Sequence, residues 1–253
     1  MASSHSWTKL EVAAHTEAAR KLGLIKDEVA SFIAENKKNV YEADVVKFVK
    51  DVYKRHGLVN DHEKEFAICA FGKNTSEVHY FPKGKGMKLK AECLVLLDIW
   101  ARLDNKKAPY ADMTWMFYLG RKVPAGIQKK WNILKLSRDT AIKEVEKYLR
   151  KDSLPRGLDI DRVAHDVIGA AGYGESIKHT VGHSLGFDSP HGKLPGINWK
   201  EYKKLSKNVG YTIEPGIYFK DKYGFRTEID FYISSDSKIV ITTPVQKSID
   251  HIV

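Results

Sequence analysis

Cysteine is scarce: only Cys69 and Cys93 occur in 253 residues, and neither belongs to a CxxC pair. Two distant thiols cannot build a disulfide framework, so a reducing, cytoplasmic setting is expected. The opening residues, MASSHSWTKL, lack the basic flank and apolar stretch of a signal peptide. No uninterrupted apolar run approaches the roughly 20 residues that a membrane helix needs, which argues against a spanning helix. Nothing resembles a low-complexity linker, so a single domain over residues 1–253 is expected, with no additional N-terminal domain.

A concentrated arginine-rich tract is missing too. Lys and Arg number 42 against 32 acidic residues, a formal charge of +10, but the lysines are scattered as Lys37/Lys38, Lys106/Lys107, Lys129/Lys130 and Lys203/Lys204. Scattered charge mostly serves solubility, which argues against a nucleic-acid surface. Hydrophobic residues at 43% and charged residues at 29% are ordinary values for a globular protein.

Residues 7–60 read as helices. Leu10, Val12, Ala13, Ala18, Ala19 and Leu22 recur at loosely helical spacing, and Gly23 predicts a stop. A second helix is expected from Lys26, and a third near Glu42 that ends at Gly57. Strands are expected over 66–71, 93–99 and 110–119, with 104–109 a polar connector. The longest amphipathic pattern covers 124–150. A shorter helix is expected over 161–171, and strands around 179–185, 210–219, 225–234 and 238–243.

Four acids stand out on these strands. Asp98 lies inside Leu94-Val-Leu-Leu-Asp-Ile-Trp, where an unpaired charge would be expensive. Asp112 follows 14 residues later on the expected return strand, facing it across an antiparallel pair. Two like charges there repel unless a cation lies between them. The pattern recurs when Glu214, in Tyr-Thr-Ile-Glu-Pro-Gly, is followed 14 residues later by Glu228, in Phe-Arg-Thr-Glu-Ile-Asp. Single carboxylates are ordinarily solvated, but four on apolar strands in two matched hairpins point to a metal site. His183, between Gly182 and Ser184, would complete it with one imidazole.

Together these segments resemble the creatinase, prolidase and methionine aminopeptidase superfamily of metallopeptidases. The matching pieces are NTSEVHYFP with His79, VLLD with Asp98, YADMT with Asp112, HTVGHSLGFD with His183, TIEPGIYF with Glu214 and FRTEID with Glu228. The resemblance implies an α+β pita-bread fold, a curved antiparallel sheet with two pseudo-symmetric halves covered by helices. It places N-terminal helices at about residues 7–60 and a metal-binding core at about 66–245. It also implies two divalent ions, with Asp98 on one, His183 and Glu214 on the other, and Asp112 and Glu228 bridging them. Mostly oxygen ligation suits Mn²⁺, with Co²⁺, Fe²⁺ or Zn²⁺ as alternatives. The implied nucleophile is a metal-bridging hydroxide, with Glu214 as proton shuttle. His79, His179 and His191 would hydrogen-bond the substrate or the tetrahedral intermediate, and Tyr218 and Arg226 would orient the ligand carboxylates.

His179-Thr-Val-Gly-His183 fits the HxxGH pattern of prolidases and Xaa-Pro aminopeptidases, so the resemblance implies cleavage of an N-terminal Xaa-Pro bond. Peptides with proline second are the expected partners, with room for a homodimer. Methionine aminopeptidase is the alternative, followed by an inactive fold member that binds peptides or nucleic acid. Tyr80, Phe81, Trp115 and Phe187 are candidate walls for the proline ring. The chain departs from the family in several places: Trp100 and Trp115 replace a usual Gly and Arg, the turn at 104–109 looks enlarged, and His191 falls one residue late.

Overall fold

The computed structural model describes residues 6–62 and 65–252. Helix α1 spans Lys9–Asn36 and is opened by Thr8, whose side chain caps the Glu11 N–H while Glu11 reaches back to the Thr8 N–H. It does not stop at Gly23. A Cβ there would lie 2.9 Å from the Pro244 ring, so the glycine marks a close approach rather than a terminus. Burying Ala18, Ala19, Leu22, Ile25, Val29 and Ile33 outweighs the cost of about 1 kcal/mol that glycine imposes on a helix interior. The two expected helices are therefore one. Helix α2, Glu42–His56, does end as expected, with Gly57 at φ 63° donating its N–H to the Lys54 carbonyl.

Strands β1 (Leu58–Val59) and β2 (Ile68–Phe71) flank β3 (Cys93–Leu103), and β3 pairs antiparallel with β4 (Ala111–Leu119). Helices α3 (Ala125–Leu149) and α4 (Gly157–Ala170) pack on each other. Next come β5 (Gly210–Ile213), β6 (Gly216–Phe219), β7 (Tyr223–Arg226), β8 (Ile229–Ile233), β9 (Ile239–Ile241) and β10 (Asp250–Ile252). Strand β5 pairs with β8, β8 with β9 and β6 with β7, all antiparallel, while β10 runs parallel to β4.

Alternation along β3 and β4 defines two faces. Val95, Leu97, Ile99, Met113 and Trp115 join the core beneath α1 and α2, while Leu96, Trp100 and Met116 join a second core shared with Trp131 of α3. Asp98 and Asp112 have the parity of that second face. Among the described residues no helix is long and apolar enough to cross a membrane.

Candidate metal centre

The first two acids sit on unbroken strands. Asp98 is in register with Thr114, and Asp112 with Trp100, so the two carboxylates are diagonal neighbours rather than directly opposed as expected. They still share one face.

The second pair sits where the strands break. The single strands expected over 210–219 and 225–234 are each two: β5 stops at Ile213 and β6 resumes at Gly216, while β7 stops at Arg226 and β8 resumes at Ile229. Ile213 pairs with Ile229 and Gly216 with Arg226, which sets Glu214 and Glu228 across the gap from each other. Pro215 has no N–H to offer a ladder, which suits it to this break.

No strand forms over 179–185; the segment is irregular and makes isolated pairings, Gly182 with Ile197 and Ser184 with Tyr211. A Cβ at Gly182 would lie 2.2 Å from the Thr212 carbonyl oxygen, so only glycine allows this approach. It delivers His183 to the acids. His183 Nε2 is 3.2 Å from Glu214 Oε1 and 3.7 Å from Asp112 Oδ2. Its Nδ1–H donates to the Ser184 carbonyl at 3.0 Å, which turns Nε2 toward the acids.

One ligand atom each from Asp112, His183 and Glu228 lie within 4.8 Å of one another. Glu214 joins through His183, and its Oε1 accepts from the Thr212 hydroxyl at 3.1 Å. Asp98 is held differently, its Oδ2 paired with Arg226 Nη2. Asp112 Oδ1 is buried with no hydrogen-bond partner among the described residues. All five line one cavity of about 220 Å³, together with His79, His179, His191 and Arg226.

Protonation behaviour reflects how closely the acids are crowded. Burial, then the charges of Asp98, Asp230 and Glu214, push Asp112 well above the usual carboxylate range. Burial, then Asp112 and Glu214, do the same to Glu228. Asp98 is raised by burial against the opposing pull of Arg226. Glu214 moves the other way: burial would raise it, but the hydrogen bond and charge of His183 bring it down to about 2. His183 is correspondingly raised, Glu214 overcoming burial. Crowded buried carboxylates, an orphaned Asp112 Oδ1 and an imidazole Nε2 aimed at them are a donor set that fits hard divalent cations.

The expected supporting residues surround this cluster. Arg226 is buried, and its Nε donates to Thr114 Oγ1 at 2.9 Å and its Nη1 to Tyr218 Oη and the Val78 carbonyl, each at 3.2 Å. His179 Nδ1–H donates to the Thr180 carbonyl at 2.8 Å, so Nε2 accepts the Tyr218 hydroxyl at 2.9 Å. Burial holds His179 down to about 4. The His191 ring lies 4.1 Å from that of His183, and burial, then the His183 charge, lowers it to about 4 as well.

Of the expected aromatic walls, Phe81 lines the cavity and three do not. Trp115 points to the opposite face, its Nε1 donating to Asp250 and its ring lying under the Lys26 ammonium. Tyr80 donates to the buried Glu42. Phe187 lines a separate groove with Trp7 and Lys106.

Three polar residues escaped the sequence reading. Thr114 donates to Glu228 Oε2 at 2.7 Å. Thr212 accepts the His183 N–H at 3.0 Å as it donates to Glu214. Asp230 Oδ2 accepts the Asp112 N–H at 2.8 Å. Each stands two residues from an acid on the same strand or its extension, so strand parity is the signal that could have found them.

The sequence matches the family described as metallopeptidase family M24 over residues 13–235. The chain belongs to that family. Uncharacterized peptidases of Staphylococcus epidermidis and Staphylococcus aureus are 28% identical to this M24 chain over 207 residues, covering 81% of it and 54% of each relative. The chain thus spans about half the length of the curated relatives it matches. Among solved structures, dipeptidase PepE from Mycobacterium ulcerans superposes with a TM-score of 0.83 at 19% identity, covering 99% of this chain and 62% of that one. An Xaa-Pro dipeptidase from Bacillus anthracis gives 0.82 at 22% identity, covering 97% and 64%. An X-Pro aminopeptidase from Thermotoga maritima gives 0.79 at 22%, with the same coverage. At such identities the likeness shows the fold, the α+β pita-bread fold of M24.

Proposed function

We propose that the chain is a dinuclear-metal peptidase that hydrolyses the N-terminal Xaa-Pro bond of peptides. The observation that carries this reading is the convergence of Asp98, Asp112, His183, Glu214 and Glu228 on one cavity that His179 also lines. Asp98 would hold one ion, His183 and Glu214 the other, and Asp112 and Glu228 would be shared. Manganese suits this oxygen-rich set best, with cobalt, iron or zinc as substitutes. When bound, such ions polarise a carbonyl and acidify water at neutral pH.

The chain's own residues do the rest. Glu214, held by Thr212 and His183 at Oε1, would take a proton at its carboxylate and pass it to the leaving nitrogen. Arg226 and Tyr218 would fix Asp98 and His179. His179 Nε2 accepts the Tyr218 hydroxyl, so it would receive an N–H of the substrate chain by exchanging that partner, leaving His79 and His191 to donate to the carbonyl and to the charge developing on its oxygen. Proline carries no N–H, and the apolar surface of Ile68, Phe81 and Pro190 around the cavity suits its ring. The Xaa-Pro enzymes among the fold neighbours support the same direction.

The manganese-loaded protein should cleave Xaa-Pro peptides and spare Met-Ala peptides when products are followed by mass spectrometry. Cleavage of Met-Ala peptides alone would transfer the reading to methionine aminopeptidase. Failure to retain metal by elemental analysis, combined with salt-sensitive nucleic-acid binding, would favour a binding protein.

A further inference from the structure

We infer that Trp100 is a specificity-determining residue that restricts the peptide's first residue to small side chains such as those of Gly, Ala and Ser. The inference rests on the cavity being the peptide site proposed above.

Trp100 lies on β3 two residues beyond Asp98 and in direct register with Asp112. Its side chain therefore shares the face of both carboxylates, and cross-strand partners of this kind stand about 4.5–5.5 Å apart at Cβ. It lines the cavity beside Ile68 and Phe81 and is only 8% exposed. The strand beneath it is anchored, since the Trp100 carbonyl accepts from the Tyr53 hydroxyl and from Asn60 Nδ2, each at 3.2 Å. The indole N–H finds no acceptor among the described residues, so the ring is placed by packing and not by a polar tether.

The substrate is assigned one orientation. A peptide's α-ammonium is cationic and is drawn to a cavity lined by Asp98, Asp112, Glu214 and Glu228; we place it at the β3–β4 end, beside Asp98 and Asp112. With the ammonium there and the scissile carbonyl over the ligand cluster, the first side chain leaves Cα toward the β3–β4 face, where the indole already stands. The cavity's volume of about 220 Å³ is below the roughly 300–1,000 Å³ of ordinary ligand pockets, so there is little room elsewhere. Forcing a branched or aromatic side chain against a packed wall costs off-rotamer strain or displacement of the wall.

The test uses glycine, alanine, leucine and phenylalanine hydroxamates, which keep a free α-amine and carry a metal-chelating group. They are titrated by calorimetry into the manganese-loaded wild-type protein, Trp100→Ala and Trp100→Phe. The wild type should bind the alanine compound at least about tenfold more tightly than the leucine and phenylalanine compounds. Trp100→Ala should bring the series within about threefold, with Trp100→Phe between them. The wild-type series stands as a test even if a variant does not fold. Equal wild-type affinities across the series, failure to bind any of the four, or a folded Trp100→Ala with unchanged discrimination would overturn the inference. Hydrolysis of Ala-Pro and Ala-Ala peptides is read separately. Size-graded binding without Xaa-Pro cleavage would leave Trp100 in its role while removing the proposed reaction.

Discussion

The two hairpins that carry the acids share a 14-residue spacing and little else. On β3 and β4 the ladder is continuous and the carboxylates are diagonal, whereas around Glu214 and Glu228 the ladder is broken and they stand across the gap. An unbroken strand fixes a side chain's face and leaves its backbone amides occupied. A broken one lets the chain bring neighbouring loops close, as Gly182 does against Thr212. The first hairpin therefore forms a continuous floor, and the second an interrupted wall that also takes up His183. Thr114 and Arg226 join them, the hydroxyl bonded to Glu228 and the guanidinium to Asp98 and Thr114.

The largest effect should come from removing a carboxylate that the proposed reading shares between two ions. Asp112→Ala or Glu228→Ala should lose hydrolysis by well over the roughly 10–100-fold typical of residues that merely support metal ligands, with circular dichroism unchanged. Stability should move the other way without metal. Asp112 and Glu228 have folded-state pKa values raised by burial and like charge. The stability they contribute is present below the ordinary carboxylate range and is lost as pH rises. Metal-free Asp112→Asn should accordingly melt above metal-free wild type at pH 8, the difference closing toward pH 4. Manganese should reverse the order at pH 8. A metal-free wild type that gains stability with rising pH relative to Asp112→Asn would show that the cluster is not under charge strain.

The sequence made this strain legible because a charge in an apolar strand is anomalous wherever the strand lies. The acids that converge on the cavity, the long helix α3 and the stop at Gly57 could all be read from local pattern and chemistry. Gly23 could not, since its reason is a proline ring more than 200 positions away, Pro244. The same holds for Trp115, Tyr80 and Phe187, which looked like walls by proximity to motifs. Strand parity turns Trp115 away from the cavity, and Glu42, which lies at the start of α2, holds Tyr80. The breaks at Glu214 and Glu228 were hidden as well, because apolar residues continue on both sides and only Pro215 marks the interruption.

His15 offers a second way to separate the halves. It sits on α1, wholly buried, with Nδ1–H donating to the Tyr110 carbonyl beside the first hairpin and Nε2 accepting from Thr242 beyond the second. The Asp230 carboxyl faces it at 3.9 Å. Burial lowers its pKa to about 4, against the raising effect of the Tyr110 carbonyl. A depressed folded-state value means that its contribution is complete above about pH 6.5 and is lost as pH falls toward 4, amounting to about 3 kcal/mol. Denaturant unfolding should show wild type losing this much more than His15→Gln between pH 7 and pH 4. Parallel curves would mean that the clasp between the halves tolerates a buried charge.

Thr114→Val should give the smallest of these effects and the sharpest view of how the halves communicate. The substitution keeps the shape of the side chain on β4 but removes the donor to Glu228 and the acceptor for Arg226. Glu228 then loses the bond that aims it, and Arg226 is left with fewer acceptors while still facing Asp98. Manganese affinity should fall about tenfold, near the lower end of what such supporting partners contribute, and Thr114→Ser should recover most of it. If affinity is unchanged in Thr114→Val but falls in Arg226→Lys, the guanidinium alone couples the halves, because lysine cannot reproduce its several fixed donors.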